Sequence, residues 1–588
     1  YYNGSTSPAV SYSYSSDGSL SRVDDHAANK EHIYNYDALG RLTSMTERSG
    51  ANGVQMYRTG YDGANRVTSV EYKVSPAWNG TFMDARSYGY TYAAADGSLT
   101  KLTLPGSGTY TYSYDGLKRL TDRSLSVGGQ SYMTRSYGYL DGTMPSSTTL
   151  IVGSLANRKA DGSSINSYTY SYDDVGNITA ISGSTNATYT YDAQGQLLTE
   201  TYGGKTYTYT YDGAGNILSV SDGSTTKSYT YGDSNWKDLL TAYNGQAISY
   251  DAIGNPTSWY DGTTFGWSNG RRLTSAVNSS AGLNNSYTYD ADGLRLTKTV
   301  GNEQHKYVWQ GSTLVSEYYG GKTLEFFYDE SGAPYGFSYK SSSSTAAPAM
   351  YYYVTNLQGD VTNVLDASGN TVASYTYNAW GKVLSSSGSM ASINPIRYRG
   401  YYFDSDTGLY YVSSRYYAPE IGRWINADGY VSTGQGILGT NMFAYCGNNS
   451  INRLDSAGQF WSEIWNFGKT VVAEIGRAMG LISPAYAACG GFAAVDGPLP
   501  IGDIIGSTVA VLLTIGAVGY GIYRAAQAPS LSFSKAEEKV IPAPPPSSTV
   551  IYRYGGTNPG NLTPKEKDKF TGLSFSTIPK PGSAVTTI

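Results

Sequence analysis

Cysteine and histidine are nearly absent from this sequence, with two and three copies in 588 residues. Two cysteines, Cys446 and Cys489, cannot build a disulfide framework, and they leave the redox compartment undecided. His26, His32 and His305 stand apart from any cysteine or acidic cluster, so the spacing offers no metal site and no metal is expected. His305, within Gln304-His305-Lys306, reads as a solvated hairpin residue. The net charge is −5 with the basic residues scattered, which excludes the basic footprint of a nucleic-acid-binding surface. Neither a phosphate loop nor a dinucleotide fingerprint is present. No signal peptide is legible at the N-terminus, and Tyr1 falls inside a repeat-like run. The sequence therefore reads as an internal fragment, with export left open.

What is abundant is tyrosine, 59 residues against 13 phenylalanines, together with 70 glycines. Tyrosine joins a large apolar ring to a polar tip and suits a half-buried β surface. Glycine supplies turns with positive φ. The fold class this predicts is mainly β, with many hairpins. A unit repeats along the chain: YNYDALGRLTS from Tyr34, YTYDAQGQLLT from Tyr189, YTYDGAGNILS from Tyr209 and YTYDADGLRLT from Tyr287. Its Tyr-Asp tyrosine recurs at Tyr172, Tyr191, Tyr211, Tyr231 and Tyr250, every 19 or 20 residues. The Tyr-x-Tyr alternation predicts a strand with its rings on one face. Asp opens a turn, Gly takes the residue with positive φ, and the Leu/Ile-x-Ser/Thr run returns as the second strand. One hairpin is too small to stand alone, so stacked units must bury the rings together. The variants at Phe265–Arg271 and Tyr307–Trp309 fit the same rhythm, and Ser341–Ala349 reads as a polar loop tip.

The segment Asn394–Gln459 has a different character, dense in Arg, Tyr, Gly and Asp. It carries Arg397-Tyr398-Arg399-Gly400, Asp406-Thr407-Gly408-Leu409-Tyr410-Tyr411, Arg415-Tyr416-Tyr417, Gly422-Arg423-Trp424, Asn448-Asn449 and Asp455-Ser456-Ala457-Gly458 in that order. In these blocks it resembles the core-associated segment of the RHS/YD-repeat proteins, a family that includes bacterial polymorphic toxins and, more distantly, the animal teneurins. With the repeats, the resemblance spans residues 30–459. It implies that the hairpins spiral into a hollow shell, or cocoon, which the core segment plugs. It also implies that two aspartates, here Asp428 and Asp455, form an aspartyl-protease-like dyad that frees a C-terminal toxin. The cut would then fall near Gly458-Gln459-Phe460, with Arg423 or Arg453 tuning the pair. Close carboxylates share a proton, so one can activate water while the other polarises the carbonyl. Gly429, Ser456 and Gln459 depart from the family's usual Pro, Pro and apolar residue. The residues alone leave a second reading open, in which both aspartates are ordinary turn acceptors.

The tyrosine rhythm stops after Gln459. Five segments follow from this reading: the repeat shell at 1–393, the plug at 394–459, a helical and hydrophobic pre-toxin segment at 460–530, a Pro-rich linker at 531–549 and the start of a truncated toxin domain at 550–588. Ile464, Phe467, Val471, Val472, Ile475 and Met479 fall at the spacing of an amphipathic helix. Ile504–Tyr523 carries no charge over a bilayer-spanning length and reads either as a membrane-active segment or as a glycine-rich buried one. In the tail, Arg553 and the Ser574-Phe575-Ser576 run resemble the opening of an ADP-ribosyltransferase-like toxin, which implies NAD for a complete effector and no cofactor for the shell. Glu566 and Asp568, the only acidic residues after Arg553, precede the Ser strand, so the essential Glu is missing.

Two functions stand against each other. The first is a fragment of a secreted or cell-surface bacterial toxin of interbacterial competition. Its own C-terminal toxin would be its cargo, with an immunity protein and the target-cell membrane as further partners and no nucleic acid held by the shell. The second is a surface adhesin or carbohydrate-binding array without cargo.

Overall fold

The Tyr-x-Tyr runs become strands whose tyrosines and hydroxyl-bearing residues alternate in burial, as in Gly108–Tyr114, where Tyr110 and Tyr112 are buried while Thr111 and Ser113 are exposed. The computed structural model describes residues 9–142, 147–342, 346–432 and 437–459, and three short strands beyond them. Within each sheet, every strand pairs antiparallel with the next in sequence. A 21-stranded sheet runs from Val10–Tyr14 to Gln246–Ala247, and a 14-stranded sheet from Ser249–Tyr250 to Val383–Ser387. Ser341–Ala349 joins two strands of the second sheet, Pro334–Lys340 and Ala349–Thr355.

Three hydrogen-bond patterns explain the repeated letters. First, the aspartate closes its own turn. Asp192 Oδ1 accepts from the amides of Gln194 and Gln196 at 2.8 Å each, and Oδ2 accepts from the Gln196 side chain at 2.7 Å. Asp212 does the same with Ala214 and Asn216, and Asp37 with Leu39 and Arg41. The residue after the glycine adds a side-chain donor in these copies, whereas Leu294 and Ala333 close the same turn through the backbone amide alone. The glycine position has positive φ, +79° at Gly195; Asn65 and Lys118 occupy it at +65° and +63° in degenerate copies.

Second, the Tyr-Asp tyrosine ties its unit to the preceding one. Tyr191, Tyr211 and Tyr231 donate to the carbonyls of Ile178, Leu197 and Ile217 at 2.7, 2.6 and 2.9 Å. Trp267 and Trp309 replace the hydroxyl with an indole N–H and donate to Pro256 and Arg295 at 2.6 and 2.7 Å. Third, the strand register shifts just before this tyrosine, as between Thr190 and Tyr191 or Thr210 and Tyr211, a recurring bulge that bends the sheet. Tyr211→Phe should remove one rung at about 1 kcal/mol. The loss is read as faster amide exchange confined to Leu197–Tyr202 and its neighbours.

The two sheets curl so that their buried faces meet. Tyr110 stands edge-on to Tyr335 at 5.9 Å, and Tyr132 packs on Tyr352 at 4.7 Å. Arg86 pairs with the buried Glu325 at 2.5 Å, and Arg123 pairs with Asp329. Over this stretch the wall touches itself directly. A space of about 210 Å³ remains elsewhere, lined by Tyr202, Tyr209, Lys227, Trp380 and Glu420 among others.

Glu200 lies at another joint of the sheets. Its oxygens accept from the Ala379 amide at 2.6 Å and from Tyr209 Oη–H at 3.2 Å. Burial pushes its carboxyl up to about 8, against the lowering effect of these two donors. The fold favours the protonated form. Its contribution is complete below the ordinary glutamate value of about 4.3 and is lost as pH rises through the raised value. Glu200→Gln should therefore flatten the fall in thermal midpoint between about pH 4 and about pH 8, an effect on the order of several kcal/mol. Thermal scans of both chains across that range check this.

The predicted helix around Ile464–Met479, the hydrophobic run Ile504–Tyr523 and the Pro-rich linker lie outside the described residues. Among the described residues no helix is long and apolar enough to cross a membrane. The chain divides into two units, Tyr1–Gly516 and Ala517–Ile588.

Candidate functional site

The segment after Ser387 forms a four-stranded antiparallel sheet, Tyr402–Asp404, Leu409–Val412, Arg415–Ala418 and Arg423–Trp424, followed by asparagine-rich loops. It is almost wholly buried, and Tyr398, Tyr410, Tyr417, Trp424 and Tyr445 share one core with the repeats. Asn452 accepts from the Ile178 amide at 2.8 Å, and Asn449 donates to Asn177 at 3.0 Å. Asn448 donates to Gln196 at 2.8 Å and to the Gly215 carbonyl at 2.6 Å. Asn441 donates to Asn216 at 2.8 Å, and the Ala427 amide donates to the Gly254 carbonyl. The segment thus lies along the turns of consecutive repeats, where the resemblance would have it act as a plug. Where it lies, the residue after the turn glycine is Asn or Gln, with spare atoms to offer. At Arg41, Arg66 and Arg119 the same position stacks on the next unit's Tyr61, Tyr92 and Tyr139, at 4.2 to 4.5 Å.

A second anchor sits at Arg295. Its guanidinium grips Asp404 at 2.5 and 3.2 Å among five tyrosine rings, and Lys298 reaches Asp404 at 2.7 Å and Asp406 at 2.9 Å. Nearby, His305 Nδ1 lies 2.7 Å from Glu317 Oε1, and its ring stacks on Tyr319 at 4.3 Å. The expectation of a solvated His305 is therefore corrected: the cross-strand pairing draws the ring against the sheet.

The two aspartates singled out in the sequence meet on one arginine, Arg415. Its Nη2 lies 2.8 Å from Asp428 Oδ2 and 3.4 Å from Asp455 Oδ2. Nη1 donates to the Met442 carbonyl at 3.1 Å, and Nε donates to the Gly458 carbonyl. The guanidinium carbon lies over the Trp424 ring, 4.1 Å from its centre. All three charged side chains are buried, so the cation and the carboxylates hold one another in place.

Asp455 uses its two oxygens differently. Oδ1 accepts from the amides of Ala457, Gly458 and Gln459 at 3.3, 2.7 and 3.0 Å, the turn geometry of the repeats. Oδ2 faces Arg415, where a repeat aspartate would meet its own turn's side chain. Tyr401 Oη takes the Asp455 amide at 3.1 Å and donates to its carbonyl at 2.6 Å. Burial pushes the Asp455 carboxyl up to about 6; Arg415 and the turn amides oppose the rise, and Asp428 adds to it. Asp428 Oδ1 accepts from the Tyr430 amide at 3.0 Å.

Arg423 and Arg453, the cations expected beside the pair, have other contacts. Arg423 donates to Asn216 at 3.3 Å, Tyr231 at 3.0 Å and the Asp238 carbonyl at 2.9 Å. Arg453 donates to the Cys446 carbonyl at 3.5 Å. The cation at the pair is Arg415, because the tight hairpin Leu409–Val412/Arg415–Ala418 turns back onto the Asp455 loop. The sequence held this arginine within Arg415-Tyr416-Tyr417, but no local spacing ties it to residues so far along the chain. Gly458 and Gln459 are described; Phe460 lies outside the described residues.

In the second unit, Tyr552–Arg553 pairs antiparallel with Phe575–Ser576, with Arg553 opposite Phe575. Ser574 lies outside the described residues. This pairing joins the Arg strand to the Ser strand. Among the described residues no group of His, Cys, Asp and Glu is placed to hold a metal ion.

Several known proteins are similar to this chain in sequence. The chain is 33% identical over 241 residues to the tRNA3(Ser)-specific nuclease WapA of Bacillus spizizenii, covering 40% of this chain and 10% of that protein. It is 28% identical over 188 residues to double-stranded DNA deaminase toxin A of Burkholderia cenocepacia, covering 28% of this chain and 13% of that protein. It thus spans about a tenth of the length of these relatives. The solved TcdB2-TccC3-Cdc42 structure aligns with a TM-score of 0.48 and 19% identity, over 79% of this chain and 28% of that one. The family described as Teneurin YD-shell matches residues 153–450, half of the sequence, from the repeats that carry the tyrosine rungs to the asparagines that seat the plug. The chain belongs to the Teneurin YD-shell family of RHS/YD-repeat proteins.

Proposed function

We propose that this chain is the wall and plug of a toxin-type protein, and that the plug cuts its own chain between Gly458 and Gln459 to free the residues that follow. The observation carrying this is the placement of Arg415, which holds the Gly458 carbonyl at Nε while binding both carboxylates at Nη2. Asp428, the closer partner of the cation, takes a proton from water. The water oxygen attacks the Gly458 carbonyl carbon. The Gln459 N–H donates to Asp455 Oδ1 at 3.0 Å; once the Gly458 carbon is tetrahedral the nitrogen carries a free lone pair, and it takes the proton of Asp455 as the C–N bond breaks. The products are a Gly458 carboxyl and a Gln459 amine, and the proton on Asp428 returns through solvent to Asp455.

The freed segment is the cargo on this reading. Relatives named as tRNA nucleases and as a double-stranded DNA deaminase toxin match the same chain, which supports one delivery wall serving different effectors. Release into a competing bacterium would call for a secreted or surface-borne parent and an immunity protein in the producer. The uncharged run Ile504–Tyr523 would meet the target membrane. Intact mass spectrometry of the full chain tests the cut. Two species are expected, one ending at Gly458 and one beginning at Gln459; a single uncut mass overturns the reading.

A further inference from the structure

We infer that Ser414 is a catalytic residue of this cleavage, its hydroxyl serving with Arg415 Nε as the donor pair for the negative charge that builds on the Gly458 carbonyl oxygen. The inference rests on the proposed self-cleavage and adds to it a group that neither the paired carboxylates nor the repeat pattern calls for.

The geometry is specific to this loop. Ser414 Oγ–H stands between two acceptors, the Ala457 carbonyl at 2.7 Å and the Gly458 carbonyl at 2.9 Å, and its one proton turns to the second as charge builds there. Arg415 Nε donates to the same Gly458 oxygen. Arg415 Nε and Ser414 Oγ thus both reach the Gly458 carbonyl, whose amide nitrogen, Gln459 N, lies 3.0 Å from Asp455 Oδ1. Ser413 and Ser414 form the two-residue turn between the paired Val412 and Arg415. Ser413 adopts a φ of +49°, a conformation that costs a non-glycine residue about 1 kcal/mol or more and that tends to persist where a site needs it. The effect of this tight turn is to point two successive side chains, 414 and 415, at the same oxygen.

Gly458 is shaped to the same surface. It has a φ of +75°, and a Cβ there would come within 2.6 Å of the Val412 carbonyl and 2.7 Å of Ser414 Oγ. A side chain at 458 would push the carbonyl off both donors, so this position accepts only glycine. Ser414 is solvent-exposed while Arg415, Asp428 and Asp455 are buried. The carbonyl thus sits at the boundary between the water that must attack it and the buried charges that handle the protons.

When water adds to the Gly458 carbon, the carbonyl oxygen takes the electron pair of the C=O bond, and the two donors strengthen as its charge grows. When the C–N bond breaks, the pair returns to re-form C=O and the donors relax. Ser414 gains and loses no proton in the cycle. Its removal should slow cleavage without moving the pH dependence that Asp455 sets.

The test follows cleavage of the full chain after a pulse of synthesis, for the wild type, Ser414→Ala, Ser414→Thr and Asp455→Asn. Ser414→Ala should cut about 10²- to 10³-fold more slowly, as loss of one such donor does elsewhere. Its pH midpoint should match the wild type, and Ser414→Thr should restore most of the rate. Ser414→Ala cutting at the wild-type rate, with Asp455→Asn uncut, overturns the assignment of Ser414 and leaves the carboxylate mechanism standing. A slow Ser414→Ala chain with a displaced pH midpoint and no rescue by threonine also overturns it, since the hydroxyl would then only support the turn. An uncut wild-type chain overturns both.

Discussion

A chain carrying Asp428→Asn should remain in one piece. Asparagine keeps the shape of the side chain, and its amide oxygen still accepts from the Tyr430 amide, so the loop has no reason to unfold. Arg415 keeps Asp455 and the Gly458 carbonyl. What disappears is the base that takes the proton from water, a loss worth about 10²- to 10⁴-fold in rate. A second readout separates this from simple damage. Asp428 is one of the neighbours that raises the Asp455 carboxyl, so its neutralisation lets Asp455 fall below its value of about 6. Since Asp455 must be protonated to serve the leaving nitrogen, wild-type cleavage should decline as pH rises through about 6, and any residual activity of the variant should decline at lower pH. Gel densitometry after pulsed synthesis, from about pH 5 to about pH 8, reads both effects. Wild-type rates in the variant, or a profile that rises with pH, would sink the assignment of roles.

Asp404→Ala should detach the plug sheet from the wall. Burial alone would raise the Asp404 carboxyl, but Arg295 and Lys298 outweigh it and hold it below the ordinary range. Deleting the carboxylate strands two cations in a site from which water is excluded. Breaking a buried pair from one side in this way costs about 3–5 kcal/mol. The five rings around Arg295 soften the loss but cannot replace a counter-charge. The expected result is rapid hydrogen exchange across Tyr402–Asp404 and Leu409–Val412, with the distant strands of the first sheet unchanged. Adding Arg295→Met to Asp404→Ala should recover part of the loss, because two apolar partners leave less charge uncompensated. Lys298 would still face Asp406. If the single variant exchanges like the wild type, the ion pair is not what holds the plug.

The repeat was legible because its cause is local. A tyrosine hydroxyl reaching the preceding unit and an aspartate accepting amides two and four residues on are interactions of one hairpin and its neighbour. Every copy therefore writes them in the same letters. The exchange of tyrosine for tryptophan at Trp267 and Trp309 follows the same logic, since both present a hydrogen-bond donor at the end of a flat ring. The alternation of Arg with Asn or Gln after the turn glycine was visible in the sequence too. Its meaning was not, because it depends on whether the plug or the next tyrosine lies above the turn.

Asp455 marks the boundary between the two kinds of information. Its turn role follows from Asp-x-x-Gly alone, and its neighbours supply every partner of Oδ1. The partner of Oδ2 comes from a hairpin some forty residues earlier, a separation at which side-chain spacing carries no signal. Sequence proximity favoured Arg423 and Arg453; the pairing of Val412 with Arg415 chose differently. By itself, then, the sequence determined the strand, the turn, the stacking of one unit on the next and the change of character after residue 393. Only the tertiary structure decided which cation joins the two carboxylates and which carbonyl they face, because those contacts are made between strand ends that chain folding, and not chain order, brings together.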